Sequence, residues 1–301
     1  MAGASETASL ASWDGAGIDV FEAASRVAAH PGFAAASRAL AEGMLELSAD
    51  DRALDAIFKD AGRYFATMWG FALHDAEGLT LPRLKAVCAR SGLLSPGRAR
   101  ALLQFLEYFG YLDRGPGPRG AVTYAPTPAF LAAWDRQFAA ALAAARHIEP
   151  GLDLLLEPAN AAARKTYGRI HADGLLGAMQ AEPVVSAFLQ VFLHPYAGSQ
   201  ILWTLVVQGH GEDFPPHHAG PVSVAGLARR CGVARSQVAR VFREARDHDL
   251  ATLDETGLVR FHAAAREQLG IFYAVQFAQI LDAAARAVRI HDLKTVSALT
   301  V

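Results

Sequence analysis

Residues 223–243, "SVAGLARRCGVARSQVARVFR", decide how this chain is read. They hold five arginines and no acid, inside a 301-residue chain whose formal net charge is only −2. Ser223 suits a helix N-cap, and Gly232 suits a turn that needs positive φ. Leu227, Val233, Val238, Val241 and Phe242 form one apolar seam through two short helices. Ala228, four residues before Gly232, leaves room for the second helix to cross the first, and Val238, six residues after it, locks the crossing. The stretch "ATLDETGLVRF" (251–261) then reads as a β-hairpin.

The same order of elements occurs earlier. Aligning Gly92 with Gly232 superposes residues 79–127 on 222–261 at an offset of 140. The first copy has Cys88 at the small-residue position, a seam of Leu84, Val87, Leu93, Ala99, Leu102, Leu103 and Leu106, and a hairpin tipped by "RGPGPRG". It carries one extra residue in its turn, "GLLSPG". A long alanine-rich helix is expected after each copy, over about 129–147 and 263–290. The period is far too long for a solenoid and indicates duplicated domains. Helices are also expected at 18–47, split by "HPG", and from the cap cluster "SADD" (48–51) to Leu73. Further helices over 157–180, 183–193 and 198–208 connect the copies. The expected segments are a helical region 1–78, the first unit with its helix 79–150, a helical connector 151–220 and the second unit with its helix 221–301. The fold class is mainly α with strands only in the two hairpins.

Charge is unevenly spread. Residues 1–60 hold ten acids against four bases, whereas 79–120 hold seven bases against two acids. Two basic islands in an acidic chain point to local contact with an anion such as a phosphate backbone. At 100° per residue, Ser236, Arg240, Arg243 and Asp247 share the outward face of the later helix, with Gln237 at its edge.

The second unit resembles the winged helix-turn-helix of bacterial transcription regulators of the MarR-like kind. The resemblance covers the two units, under a third of the chain. It implies a cytoplasmic, non-catalytic regulator that binds double-stranded DNA. Arg235, Ser236, Gln237, Arg240 and Arg243 would lie in the major groove, Arg229 and Arg230 on phosphates, and Arg260 near the wing. In the first unit, Arg98 and Arg100 would hold phosphates and Arg114 and Arg119 would reach a minor groove. In that family two subunits supply the two units, so one chain with both implies an intramolecular pseudo-dimer or a homodimer.

Other features of the sequence bear on this reading. The outward face of the first unit's second helix, with Gly97, Ala101, Gln104, Phe105 and Tyr108, is half apolar. That supports the alternative of a winged-helix protein-interaction module. This unit is also similar to the dimerisation domain of small-molecule O-methyltransferases, but no glycine-rich loop after a strand follows it. Cys88 and Cys231 make no disulfide framework and read as small hydrophobes rather than redox sensors. The cluster His210, Glu212, Asp213, His217 and His218 matches no standard metal spacing and reads as a solvated loop. Trp134, Tyr167, His171, Tyr196 and Trp203 could line a pocket for a small-molecule effector but sit at core spacing. The uncharged run 183–211 is broken by His194-Pro195 and Gly198-Ser199-Gln200, so it reads as two buried helices and not a membrane span. The N-terminus has no basic region followed by an apolar run, which fits no signal peptide. Neither a metal nor a cofactor is expected.

Overall fold

The computed structural model describes residues 10–13, 19–91, 94–117, 120–180, 186–211 and 213–293. It is mainly helical, with two small antiparallel sheets. The N-terminal region forms a 3₁₀ turn (Leu10–Trp13), α1 (Val20–Ala28) and α2 (Phe33–Asp50), the last two separated at "HPG" as expected. The single helix expected from 48 to 73 is instead two, α3 (Arg52–Phe58) and α4 (Ala61–Glu77). Asp51 caps α3 by accepting from the N–H groups of Ala53 and Leu54, and Asp60 caps α4 by accepting from that of Arg63. Two aspartates nine positions apart each offer the backbone an N-cap, so the second restarts the helix rather than extending it.

The first unit follows as α5 (Leu81–Ser91), α6 (Pro96–Tyr108), β1 (Leu112–Pro116) and β2 (Val122–Pro126), and α7 (Pro128–Ala145) continues from it. Its strands pair from Leu112 opposite Pro126 to Pro116 opposite Val122. The connector holds α8 (Asp153–Leu156), α9 (Ala161–Gln180), α10 (Ala187–Phe192) and α11 (Gly198–Val207). The second unit is α12 (Val224–Cys231), α13 (Arg235–Asp247), β4 (Ala251–Leu253) and β5 (Val259–Phe261), followed by α14 (Ala263–Ile290).

A short extended segment before each unit was not legible in the sequence. Strand β3 (His218–Ala219) pairs with β5, giving a sheet of order β3-β5-β4. At the matching place in the first unit Leu79 bridges Tyr124. Two residues are too few to show an alternating pattern, so only the partner strand reveals them.

The helices that leave the two units meet in one bundle. α7 lies along α2, α14 lies along α9 and α1, and α9 also packs on α4. Alanines at 141, 144, 145, 278, 283, 284, 285 and 287 are buried, so these helices approach closely. Larger side chains fill what remains. Trp134 stacks on Phe130 at 5.2 Å, Phe138 meets Tyr167 edge-on at 5.7 Å, and Phe214 wedges edge-on against Phe33 and Tyr273. Arg164 on α9 is buried and makes a two-pronged pair with Asp135 on α7, at 2.6 and 2.9 Å, while donating to the Leu155 carbonyl. The pairing satisfies a charge that would otherwise be costly to bury.

Of the middle aromatics, Trp134, Tyr167 and His171 are buried, Trp203 is half-buried and Tyr196 is exposed. Trp134 and Tyr167 are fully buried, Tyr167 stacks on the buried His171, and Trp203 packs on Phe58. Burial pushes the His171 imidazole down to about 4 and holds it neutral. Among the described residues, no helix is long and apolar enough to cross a membrane.

Candidate nucleic-acid interface

In the second unit α12 and α13 are joined by a tight turn. The Ser223 hydroxyl accepts from the Gly226 N–H at 3.0 Å and starts α12. Gly232 closes it at φ 61°, the left-handed conformation that glycine adopts without a Cβ clash. Ala228, Val238, Val241, Phe242 and Ala245 are buried at the crossing. Fixing the crossing from one side leaves the other side of α13 in solvent.

On that solvent side stand Arg235, Ser236 and Arg243, all exposed. Arg229 and Arg230 are exposed at the end of α12, and Arg260 points outward from β5. None of these five arginines has a hydrogen bond or ion pair among the described residues. Arg260 lies opposite His218 and Thr252, in the middle strand of the sheet, and not on the hairpin tip. Ala234 stands at the α13 N-cap and supplies no side-chain acceptor, so the first N–H groups of this helix are left for solvent or an anion.

Two expected base-contacting residues are already occupied. Gln237 is half-buried, and its Nε2 donates to the Tyr196 carbonyl at 2.9 Å. Arg240 donates to Gln237 Oε1 at 3.1 Å and lies 3.5 Å from Glu244. The cause is α10, which packs against α13 and delivers Tyr196 to its flank. Nothing in residues 223–243 signals this contact, since its partner is some forty residues away in the chain. Acids beyond the far end of α13 are partly engaged too. Asp254 Oδ1 accepts from Thr256 and Leu258 and shapes the hairpin turn, which holds its carboxyl below the usual range. Asp249 pairs with His262 at 2.6 Å.

The first unit presents a different surface. Ser95 caps α6 by accepting from the Arg98 N–H at 3.4 Å, which satisfies one N–H of this helix start. The Arg98 guanidinium is ion-paired with Asp60. Arg100 and Arg114 are exposed. Gly92, Leu93 and Arg119, named above for the turn, seam and wing, lie outside the described residues. Tyr108 is 86 % exposed at the end of α6, against Phe109, beside exposed Ala101 and Gln104. Arg63 sits over the Phe105 ring at 5.3 Å.

The two units meet at the junction of α3 and α4. Asp60 touches Arg98 of α6, and the Nζ of Lys59 lies 3.3 Å from where a Cβ on Gly232 would stand. Two extended side chains on adjacent residues hold the start of α6 within roughly 30 Å of the turn before α13.

Both cysteines are buried, and burial pushes each thiol up to about 11. Little thiolate exists at neutral pH, so Cys88 and Cys231 pack as small apolar groups. In the loop 209–218, Arg38 donates to the carbonyls of Gly211 and Asp213, while Glu212 lies outside the described residues. Among the described residues no three His, Cys, Asp or Glu side chains gather as a metal site would require. Comparison of the chain with family models, with curated proteins and with solved structures found no match.

Proposed function

We propose that both units are winged helix-turn-helix modules and that the protein is a transcriptional regulator that binds duplex DNA through the second. One observation carries this reading: five exposed arginines on a unit whose α13 start has no side-chain cap, none of them with an ion pair among the described residues. A cluster of unpaired guanidinium groups repels itself and is stabilised when phosphates approach. Arg235, Ser236 and Arg243 would face base edges, and Arg229, Arg230 and Arg260 the backbone. Gln237 and Arg240 would position α13 instead of reading bases.

A second reading is favoured by Tyr108. A tyrosine so exposed on a helix with small neighbours suits a protein contact, and the first unit would then serve as a docking surface.

Fluorescence anisotropy tests the first reading. The full chain is titrated into DNA from upstream of its own coding sequence and into a scrambled duplex, at about 50 and 200 mM salt. Binding to both at low salt, with only the upstream duplex retained at high salt, is the expected result. Absence of binding to either at low salt would overturn it.

A further inference from the structure

Helix α3 touches both units. At its start, Asp51 accepts from the Tyr111 hydroxyl of the first unit at 2.8 Å and pairs with Arg136 of α7 at 2.9 Å. One turn later, Asp55 accepts from Gln200 of α11 at 2.8 Å and pairs at 2.5 Å with Lys59, the residue that lies against Gly232. Beside α3 opens a cleft of ≈ 320 Å³. Glu46 and Ser48 of α2, Asp55, Gln200, and Arg230 and Cys231 at the end of α12 line it. The volume is at the small end of what ligand sites enclose, about 300–1,000 Å³.

Charge in the cleft is divided. Two carboxylates, Glu46 and Asp55, stand on the α2 and α3 side, and the Arg230 guanidinium stands on the α12 side. Neither Glu46 nor Arg230 has a bonding partner among the described residues. Gln200 is 2 % exposed, and its Oε1 has no hydrogen-bond partner. A buried amide oxygen left without a donor is costly.

We propose that this cleft binds a small zwitterion of amino-acid size. Its ammonium would meet Glu46 and Asp55, and its carboxylate would meet Arg230. Leu45 and Ala49, which also line the cleft, leave room for a compact, apolar substituent. The regulatory consequence rests on the DNA reading above: a ligand that engages Arg230 removes a phosphate contact and braces α12 against α3. The binding itself does not depend on that reading.

The test is calorimetric titration of the full chain, without DNA, with each of the protein amino acids. The matching amines and carboxylic acids, which lack one of the two charges, are titrated in parallel. Saturable binding of at least one amino acid and of neither single-charge analogue is expected. Glu46→Gln removes a charge from an exposed helix position, so it keeps the thermal midpoint while weakening binding about tenfold. Ala49→Trp fills the cleft without deleting a polar group and abolishes binding. The proposal is overturned if no amino acid binds at about 10 mM, if a single-charge analogue binds equally, or if both variants bind like the parent. Because the readout contains no DNA, a failure here leaves the anisotropy result standing, and the reverse also holds.

Discussion

The two units run through the same order of elements, yet they treat the start of their second helix in opposite ways. In the first, the Ser95 hydroxyl accepts from the Arg98 N–H at the start of α6, and Asp60 neutralises the Arg98 side chain. In the second, Ala234 offers α13 no side-chain cap, and Arg229, Arg230, Arg235 and Arg243 have no ion pair among the described residues. The contrast lies at the helix start: Arg235 at the start of α13 has no ion pair among the described residues, whereas Arg98 at the start of α6 is paired, although Arg100 and Arg114 of the first unit are exposed. Apolar exposure is reversed: Tyr108 stands out from the first unit, while Val238, Val241 and Phe242 of the second are turned inward.

The strongest way to break this comparison is matched charge reversal. Arg235→Glu with Arg243→Glu is expected to weaken DNA binding about a thousandfold, as two contacts of about 2 kcal/mol each are lost. The corresponding pair Arg98→Glu and Arg100→Glu in the first unit should cost less than about tenfold, read in the same anisotropy titration. Equal losses from the two pairs would sink the assignment to the second unit.

The shared bundle provides a smaller effect that should strike both units together. His171 is held neutral, with its affinity for protons reduced to about 4, whereas in the unfolded chain it titrates near its usual 6.5. The unfolded state therefore binds the extra proton below pH 6.5, and stability falls as pH drops from there toward 4. About 3 kcal/mol is at stake across that window. Denaturant midpoints at pH 7 and pH 4.5 measure it, and His171→Phe should flatten the difference.

Gly232→Ala probes the turn that the first helix of the second unit depends on. At φ 61° a Cβ is strained, and the nearest atom it would meet is the flexible end of Lys59. A loss of about 1–2 kcal/mol is expected, with Gly232→Asn milder. The smallest effect concerns Tyr108. Tyr108→Ser should change stability by no more than about 0.5 kcal/mol and leave DNA affinity unchanged. A clear loss of DNA binding in that variant would bring the first unit into the interface.

Much of the helical layout was legible in residues 18–290. Seams of Leu, Val and Phe at helical spacing located α5, α6, α12 and α13, and the glycine at 232 marked the turn, because helix period and backbone freedom are local properties. The break at Lys59-Asp60 was missed although its signal was present, since an aspartate inside an apolar helix pattern reads as a solvated side chain until its capping bond is seen. Strand β3 and the Leu79 bridge had no local signal at all.

The candidate interface divides along the same line. The residue types at Arg229, Arg230, Arg235, Ser236 and Arg243, and their grouping on one side of two helices, follow from sequence alone through helix periodicity. Which guanidinium groups stay unpaired does not. Arg98 is neutralised by an acid 38 positions away, Gln237 is taken by a carbonyl 41 positions away, and Asp55 is joined to Gln200 across 145. Periodicity sets the direction in which a side chain points, whereas its partner is set by how distant helices pack. Only the tertiary structure could separate the unpaired arginines from the occupied ones.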